Sequence, residues 1–493
     1  MNAPLPASVL NTAAALDQVS AQWDRDIVSQ LKDYIAIPAK SPLFDADWAA
    51  NGHIETVVRH AAAWVEAQKV PGLTLEVVRL PGRTPVIFFE VAATRPVPAG
   101  SKVSQPTVLM YGHLDKQPEF SGWRSDLGPW TPHYEDGKLY GRGGADDGYA
   151  IYASVAALQA LKSQGVAHPR IVGLIETCEE SGSYDLLPYV EALKERLGEV
   201  GLVICLDSGA GNYDQLWLTT SLRGNVTGTL KVEVLTEGVH SGDASGVVPS
   251  SFRILRHLLD RLEDSATGRL LPAVFHGEIP AERLEQARAT ADILGDELHA
   301  RFPWAHHDCG GSSAFTLPMT RDPVEALLNR TWRPTLSVTG ADGLPALKDA
   351  GNVLRPYTAF KLSLRLPPLV DAAQAVQQLK ALLEDNAPYQ AKVTFEGGGG
   401  ATGWNAPATA DWFEAALQEA SQACFGAACA SIGQGGTIPL MNLLSKGFPK
   451  AQMMVCGVLG PKSNAHGPNE FLHVPYAKRL TAAVAQVISR MPG

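Results

Sequence analysis

No run of about eighteen apolar residues occurs anywhere in this 493-residue chain, so a membrane-spanning helix is not expected. Its six cysteines (Cys178, Cys205, Cys309, Cys424, Cys429 and Cys456) include no CxxC pair. They fit reduced, packed thiols better than a disulfide framework. Clusters of Lys and Arg are missing too, and the formal charge is -10. A nucleic-acid partner is not expected, because neutralising phosphates takes a basic face. The opening residues, MNAPLPASVLNTAAALDQVSAQWDRD, lack the basic segment and unbroken apolar core of a secretory signal. From about Val9 they predict an amphipathic helix, and a soluble, cytoplasmic protein is the expectation.

What the chain does have is metal-type ligands placed just after apolar runs. They lie in YGHLD (Tyr111 to Asp115), GRGGADDG (Gly141 to Gly148), TCEESG (Thr177 to Gly182) and AHGPNE (Ala465 to Glu470). Strand-like runs precede three of these: Val108 to Met110 before His113, Ile171 to Ile175 before Glu179 and Glu180, and Met453 to Leu459 ahead of His466. The run Leu202 to Leu206 delivers Asp207 in the same way. In an open parallel sheet the carboxyl ends of the strands share one edge, so ligands carried there converge on one crevice.

The length predicts more than one domain. From Ile27 to about Leu206, helices alternate with short apolar strands, the pattern of a parallel, helix-covered sheet. Tyr149 to Lys162 predicts a helix opening directly after Asp146 and Asp147. Beyond Asp207 the pattern changes: Val226, Gly228, Leu230, Val232 and Val234 alternate with polar residues, and so do Phe360 to Leu366. Helical patterns cover Ser251 to Leu262, Pro280 to Asp296 and Ala372 to Leu383, while Trp304 to Arg321 reads as a loop with a Gly-Gly turn. The glycine run Gly397 to Gly400 reads as the return to the first domain. The expected architecture is an α/β domain with a mostly parallel central sheet (1–216 and 396–493), interrupted by an α+β insert (217–395).

Two histidines with several carboxylates and no cysteine suit Zn, Mn or Co in a reactive site better than a thiolate-rich structural zinc. His113, Asp146, Glu180, Asp207 and His466 are too many for one tetrahedral ion with an open position. They suit two ions sharing a carboxylate, with Asp146 on its glycine turn as the candidate bridge. Such pairs clamp an attacking hydroxide and polarise a carbonyl oxygen. Glu179, beside Glu180, is placed to act as general base. Asp115, two residues after His113, could orient the imidazole from behind. Taken singly, an HxD, a DD or an EE is more often a solvated loop or a helix cap; the joint pattern is what points to metal. His53, His60, His168, His257, His276 and His299 read as surface or packing residues, and His306 with His307 as a weaker second metal candidate.

These residues also carry a resemblance. YGHLDKQP (Tyr111 to Pro118), LYGRGGADDG (Leu139 to Gly148), ETCEESGS (Glu176 to Ser183), LDSG (Leu206 to Gly209), GVHSG (Gly238 to Gly242), GQGGTIP (Gly433 to Pro439) and AHGPNE resemble the M20 metallopeptidases. The similarity runs from about residue 25 to the C-terminus and is greatest to the carnosinase-like and cytosolic nonspecific dipeptidase branch. It implies a zinc-peptidase-like catalytic domain and a lid that forms a homodimer. It implies His113 and Asp207 on one zinc, Glu180 and His466 on the other, Asp146 between them and Glu179 as base. His240 would reach the partner's active site and stabilise the oxyanion. Arg365 would hold the substrate's terminal carboxylate, with Thr437 also in the substrate site.

The chain departs from the family pattern at Gly148, where Lys is frequent, and at Gln434, where Glu is frequent. Gly148 reads as the loss of a surface or supporting cation, and Gln434 as the loss of a charge near the substrate pocket. The expected activity is hydrolysis of dipeptides through a metal-bound hydroxide, with two divalent ions per subunit. The alternatives are an amidohydrolase acting on N-acyl or N-carbamoyl amino acids and a non-catalytic binding protein of the same fold.

Overall fold

The computed structural model describes residues 9–95, 106–309 and 312–492, with backbone alone for 307–309, 312–314 and 439–440. The chain forms two compact units, one of Met1–Thr220, Ala406–Ile432 and Leu443–Gly493, the other of Ser221–Asn405 and Gly433–Asn442.

The first unit is built on six strands: β1 (Leu73–Val78), β2 (Val86–Val91), β3 (Thr107–His113), β4 (Ile171–Glu176), β5 (Val200–Cys205) and, late in the chain, β10 (Gln452–Val455). Their order is β1-β2-β4-β3-β5-β10. The pairings of β4 with β3, β3 with β5 and β5 with β10 are parallel. The β1–β2 ribbon joins antiparallel through β2 and β4. All seven residues of β3 and all six of β4 are buried, which is why they read as unbroken apolar runs: helices cover both faces, leaving no polar side to alternate with. Helix α2 (Tyr149–Ser163) packs on β3 and on α6 (Val474–Arg490), while α1 (Val28–Ala36) packs on the turn that precedes α2. The parallel strands end together at His113, Glu176 and Cys205, and the metal-type residues follow at once.

The second unit holds a four-stranded antiparallel sheet of β6 (Gly224–Glu233), β7 (Thr335–Asp342), β8 (Tyr357–Leu366) and β9 (Lys392–Ala401), ordered β7-β8-β6-β9. Along β6, buried and half-buried residues alternate without a break. The inward set, Val226, Leu230 and Val232 with Leu362, Leu364 and Leu366, packs against Ile254, Leu255 and Leu258 of α3 (Ser251–Leu259) and Leu379 and Leu383 of α5 (Ala372–Glu384). Ser250 and Asp371 cap these helices by accepting from the Arg253 and Gln374 amides. Helix α4 (Pro323–Thr331) starts on an Asp322 cap with proline at its first position.

Two segments differ from expectation. The glycine run does not leave the second unit: Gly397 to Gly400 continue β9, with a register shift between Glu396 and Gly399. The physical reason is close packing, since a Cβ at Gly400 would lie 3.1 Å from Ala372 Cβ and 3.2 Å from the Asn225 carbonyl oxygen. The stretch expected to be loop contains a short hairpin, His306–Cys309 paired with Ser312–Phe315. Four-residue strands carry too little periodicity to separate from loop. Among the described residues, no helix is long and apolar enough to cross a membrane.

Candidate metal centre

At the carboxyl edge of the parallel sheet, two clusters of ligand atoms share one residue: His113, Asp146 and Asp207 form one, Asp146, Glu180 and His466 the other. His113 Nε2 lies 3.5 Å from Asp146 Oδ1 and 3.9 Å from Asp207 Oδ2. His466 Nε2 lies 2.9 Å from Asp146 Oδ2 and 3.4 Å from Glu180 Oε2. Asp146 thus turns one oxygen toward each cluster. Ligands about 2.1 Å from a tetrahedral ion stand roughly 3.4 Å apart, and these separations bracket that value. His113 Nε2 is fully buried and, among the described residues, has no hydrogen-bond partner. A buried imidazole nitrogen facing carboxylates alone fits a cation between them. The residues present therefore fit a pair of divalent ions.

The electrostatics agree with that fit. Burial disfavours a charged His113, yet Asp115, Asp146 and Asp207 raise its pKa. Burial alone would raise Asp146, but its contacts with His113 and His466 hold it well below the usual carboxylate range. Burial pushes Glu180 up to about 7, with Asp146 adding like charge. Glu179 is raised too, by burial and then by Glu180 and Glu176. His466 is 54% exposed along its side chain; its partial desolvation would lower its pKa, but Glu180 and Asp146 raise it to about 10. The pocket concentrates more negative charge than two imidazoles balance, and divalent cations would relieve it.

Two supports hold the ligands. Asp115 meets His113 Nδ1 with its carbonyl oxygen at 3.1 Å and with Oδ1 at 3.5 Å, and its Oδ1 and Oδ2 accept from the Glu179 and Glu180 amides at 3.1 and 3.0 Å. It ties the end of β3 to the Glu179–Glu180 turn, and Gln117 Nε2 donates to Glu180 Oε2 at 2.6 Å. The second support is Arg142, paired with Glu470 where both are buried. Arg142 Nη2 donates to the carbonyls of His466 (3.1 Å) and Gly467 (2.8 Å), and Nε to Pro118 O at 3.1 Å. Glu470 also accepts from the Gly143 amide at 2.9 Å. This brace matters because Asn464, His466 and Asn469 all hold positive φ, a conformation that costs energy for residues other than glycine. Arg142→Met should destabilise the protein by about 3–5 kcal/mol, because it strands a buried Glu470. Calorimetry checks this, and metal analysis should find the His466 cluster weakened more than the His113 cluster.

The sequence reading did not single out Gln117, Arg142, Glu176, Glu470 or the buried Asp147. Glu176 ends β4, accepts from Tyr111 Oη (2.7 Å) and Ser183 Oγ (2.9 Å), and is pushed up to about 7 by burial. Its place at the end of an apolar run was the available signal. Gly148 is not a surface position: a Cβ there would meet the Tyr34 ring at 2.1 Å. The departure is therefore one of packing, with Tyr34 filling the space and its hydroxyl donating to Leu114 O at 3.0 Å. Most of the histidines assigned to surface or packing meet backbone carbonyls: His60, His168, His276 and His299 each contact one. His306 is exposed and stacks edge-on against Phe315, and the His307 side chain lies outside the described residues.

In the second unit, His240 is exposed and its Nδ1 accepts from the Gly242 amide at 3.1 Å. Arg365 Nη1 reaches Thr437 Oγ1 at 3.5 Å, and Thr437 Oγ1 donates to Arg223 O at 2.5 Å.

A mostly parallel, helix-covered sheet with paired His and carboxylate candidate ligands at its strand ends fits the class of metal-dependent hydrolases. The pattern of peptidase family M20/M25/M40 matches residues 109–490, and the chain belongs to that family. It is 29% identical over 431 residues to the cysteinylglycine-S-conjugate dipeptidase of Corynebacterium striatum, covering 85% of this chain and 88% of that one. It is 28% identical over 376 residues to the Beta-Ala-His dipeptidase of Homo sapiens, covering 73% and 69%. Its fold is similar to that of human carnosine dipeptidase 1, with a TM-score of 0.76 at 22% identity over 99% of this chain and all of that one.

Proposed function

We propose that the protein is a dinuclear metal-dependent dipeptidase. The observation that carries this reading is Asp146, whose two oxygens face two ligand clusters while Glu179 stands next to a ligand of one of them. That both relatives above are named dipeptidases supports it. His113 and Asp207 would hold one ion, Glu180 and His466 the other, and Asp146 would bridge them. Zn is the first choice, with Mn and Co sharing the same ligand preferences. Ions held there would supply a Lewis acid for the scissile carbonyl and would lower the pKa of the attacking water.

The remaining work falls to side chains of this chain. Glu179 takes the water proton and returns it to the leaving amine. Asp115 positions His113 and the turn that carries Glu179 and Glu180. Because His240 Nδ1 accepts from the Gly242 amide, its Nε2 carries the ring proton and is free to donate to the oxyanion, acting across a homodimer interface. Arg365 and Thr437 grip the substrate's terminal carboxylate. The free thiols of Cys178, Cys205, Cys424, Cys429 and Cys456 support a cytoplasmic setting.

The test is hydrolysis of a dipeptide panel beside matched N-acetyl amino acids, with metal-depleted protein and after adding Zn or Mn. Depletion should abolish cleavage of dipeptides and either metal should restore it. Cleavage of acyl compounds alone would move the activity to an amidohydrolase. Metal-loaded protein inert to every amide would leave the non-catalytic reading.

A further inference from the structure

The second unit contains a group of arginines, Arg223, Arg330 and Arg365. Arg223, ahead of β6, donates through Nη1 to Asn329 O (3.4 Å), Arg333 O (3.3 Å) and Thr335 Oγ1 (3.0 Å), and through Nε to Gly435 O (3.4 Å). It thereby fastens the end of α4 to the Gly433–Thr437 segment. Arg330, in the last turn of α4, lies beside it: a Cβ built at Gly435 would come within 3.1 Å of Arg223 Nη2 and 3.6 Å of Arg330 Cγ. Arg365 completes the group through Thr437. Burial pushes Arg330 down to about 9, and the charges that act on it are those of Arg301 and Arg223. Burial likewise takes Arg223 down to about 10, with Arg365 adding like charge. The nearby acid on α4, Glu325, is taken by Arg333 at 2.5 Å.

Arg223 spends Nε and Nη1 on carbonyls and the Thr335 hydroxyl, whereas the Nε and Nη2 of Arg330 are not spent in this way. Both Arg330 atoms are shut off from solvent and, among the described residues, have no hydrogen-bond partner. These two atoms form one edge of the guanidinium, with parallel N–H bonds spaced to meet the two oxygens of a carboxylate. This chain uses that edge in this way at its surface, where Arg124 Nε and Nη2 meet Asp126 Oδ1 and Oδ2 at 2.6 and 2.8 Å. Leaving such a fork buried and empty is costly, and Gly436, one residue beyond Gly435, has open space where a side chain would be.

We propose that the Arg330 fork is a carboxylate-binding site. Resting on the dipeptidase reading, in which Arg365 holds the terminal carboxylate, the ligand is the side-chain carboxylate of a substrate whose C-terminal residue is Asp or Glu. The enzyme would then prefer acidic dipeptides to their amide isosteres.

The test compares metal-loaded wild type with Arg330→Met and Arg330→Lys on Gly-Asp against Gly-Asn and Gly-Glu against Gly-Gln. In wild type the acid should exceed the amide in kcat/KM, chiefly through KM, and Arg330→Met should reduce that ratio by at least about tenfold. Arg330→Lys, which keeps charge but not the fork, should restore only part of it. In parallel, glutarate should raise the Tm of wild type more than chloride at equal ionic strength, and should not do so for Arg330→Met. Without ligand, that variant should melt no lower than wild type, since it removes an uncompensated buried charge. An unchanged acid-to-amide ratio, or a marked loss of Tm that makes Arg330 a structural support, overturns the proposal. If no dipeptide is cleaved but glutarate still acts through Arg330, the dipeptidase reading fails while the carboxylate site stands.

Discussion

Asp146→Ala should remove both metal ions from the protein, whereas His466→Ala should remove one. The asymmetry follows from the two clusters, which have Asp146 alone in common. Its Oδ1 faces His113 and its Oδ2 faces His466. Without it, the first cluster is left with His113 and Asp207, the second with Glu180 and His466, and two ligands are fewer than the three that reactive zinc sites use. Turnover should fall by at least about two orders of magnitude, the loss that even outer-shell partners of metal ligands can cause. Metal content by mass spectrometry, read beside hydrolysis, checks both. A variant that keeps two ions with normal occupancy would remove Asp146 from the bridging position and undo the paired arrangement.

The central sheet was legible because a strand covered on both faces must be apolar throughout, and each such run stops where the chain turns polar. Val108 to Met110, Ile171 to Ile175 and Leu202 to Leu206 therefore announced both the strands and the edge where His113, Glu180 and Asp207 gather. The supports were not legible, since they depend on which distant backbone groups the fold brings near. Asp115 reads as a partner for the histidine two residues before it, yet both its oxygens also hold amides sixty-odd residues away. Arg142 meets Glu470 across 328 positions, a distance no periodicity spans. Glycines misled in two ways: Gly397 to Gly400 looked like punctuation but lie in a strand that a helix approaches closely, and Gly148 looked like a lost cation but makes room for Tyr34. Arg330 carried no local signal, because what sets it apart is that its Nε and Nη2 meet no acceptor among the described residues.

Glu179→Gln should leave both ions in place and reduce kcat by about 10²–10⁴-fold, the usual range for a lost general base. The substitution keeps the size of the side chain and removes its capacity to take a proton at working pH. The turn itself should persist, because Asp115 holds it through the backbone amides of residues 179 and 180, which the substitution leaves untouched. Glu180→Gln is the necessary contrast. It alters an oxygen 3.4 Å from His466 Nε2 and should cost metal as well as turnover. The neighbouring glutamates are thus separable by two measurements on each variant, metal content and single-turnover rate. Were Glu179→Gln to hydrolyse dipeptides at near wild-type rate with its metals bound, the proton would have to be taken elsewhere. Glu176, buried and pushed up to about 7, would be the next carboxylate to test. It already accepts from Tyr111 and Ser183, commitments that make it the poorer acceptor.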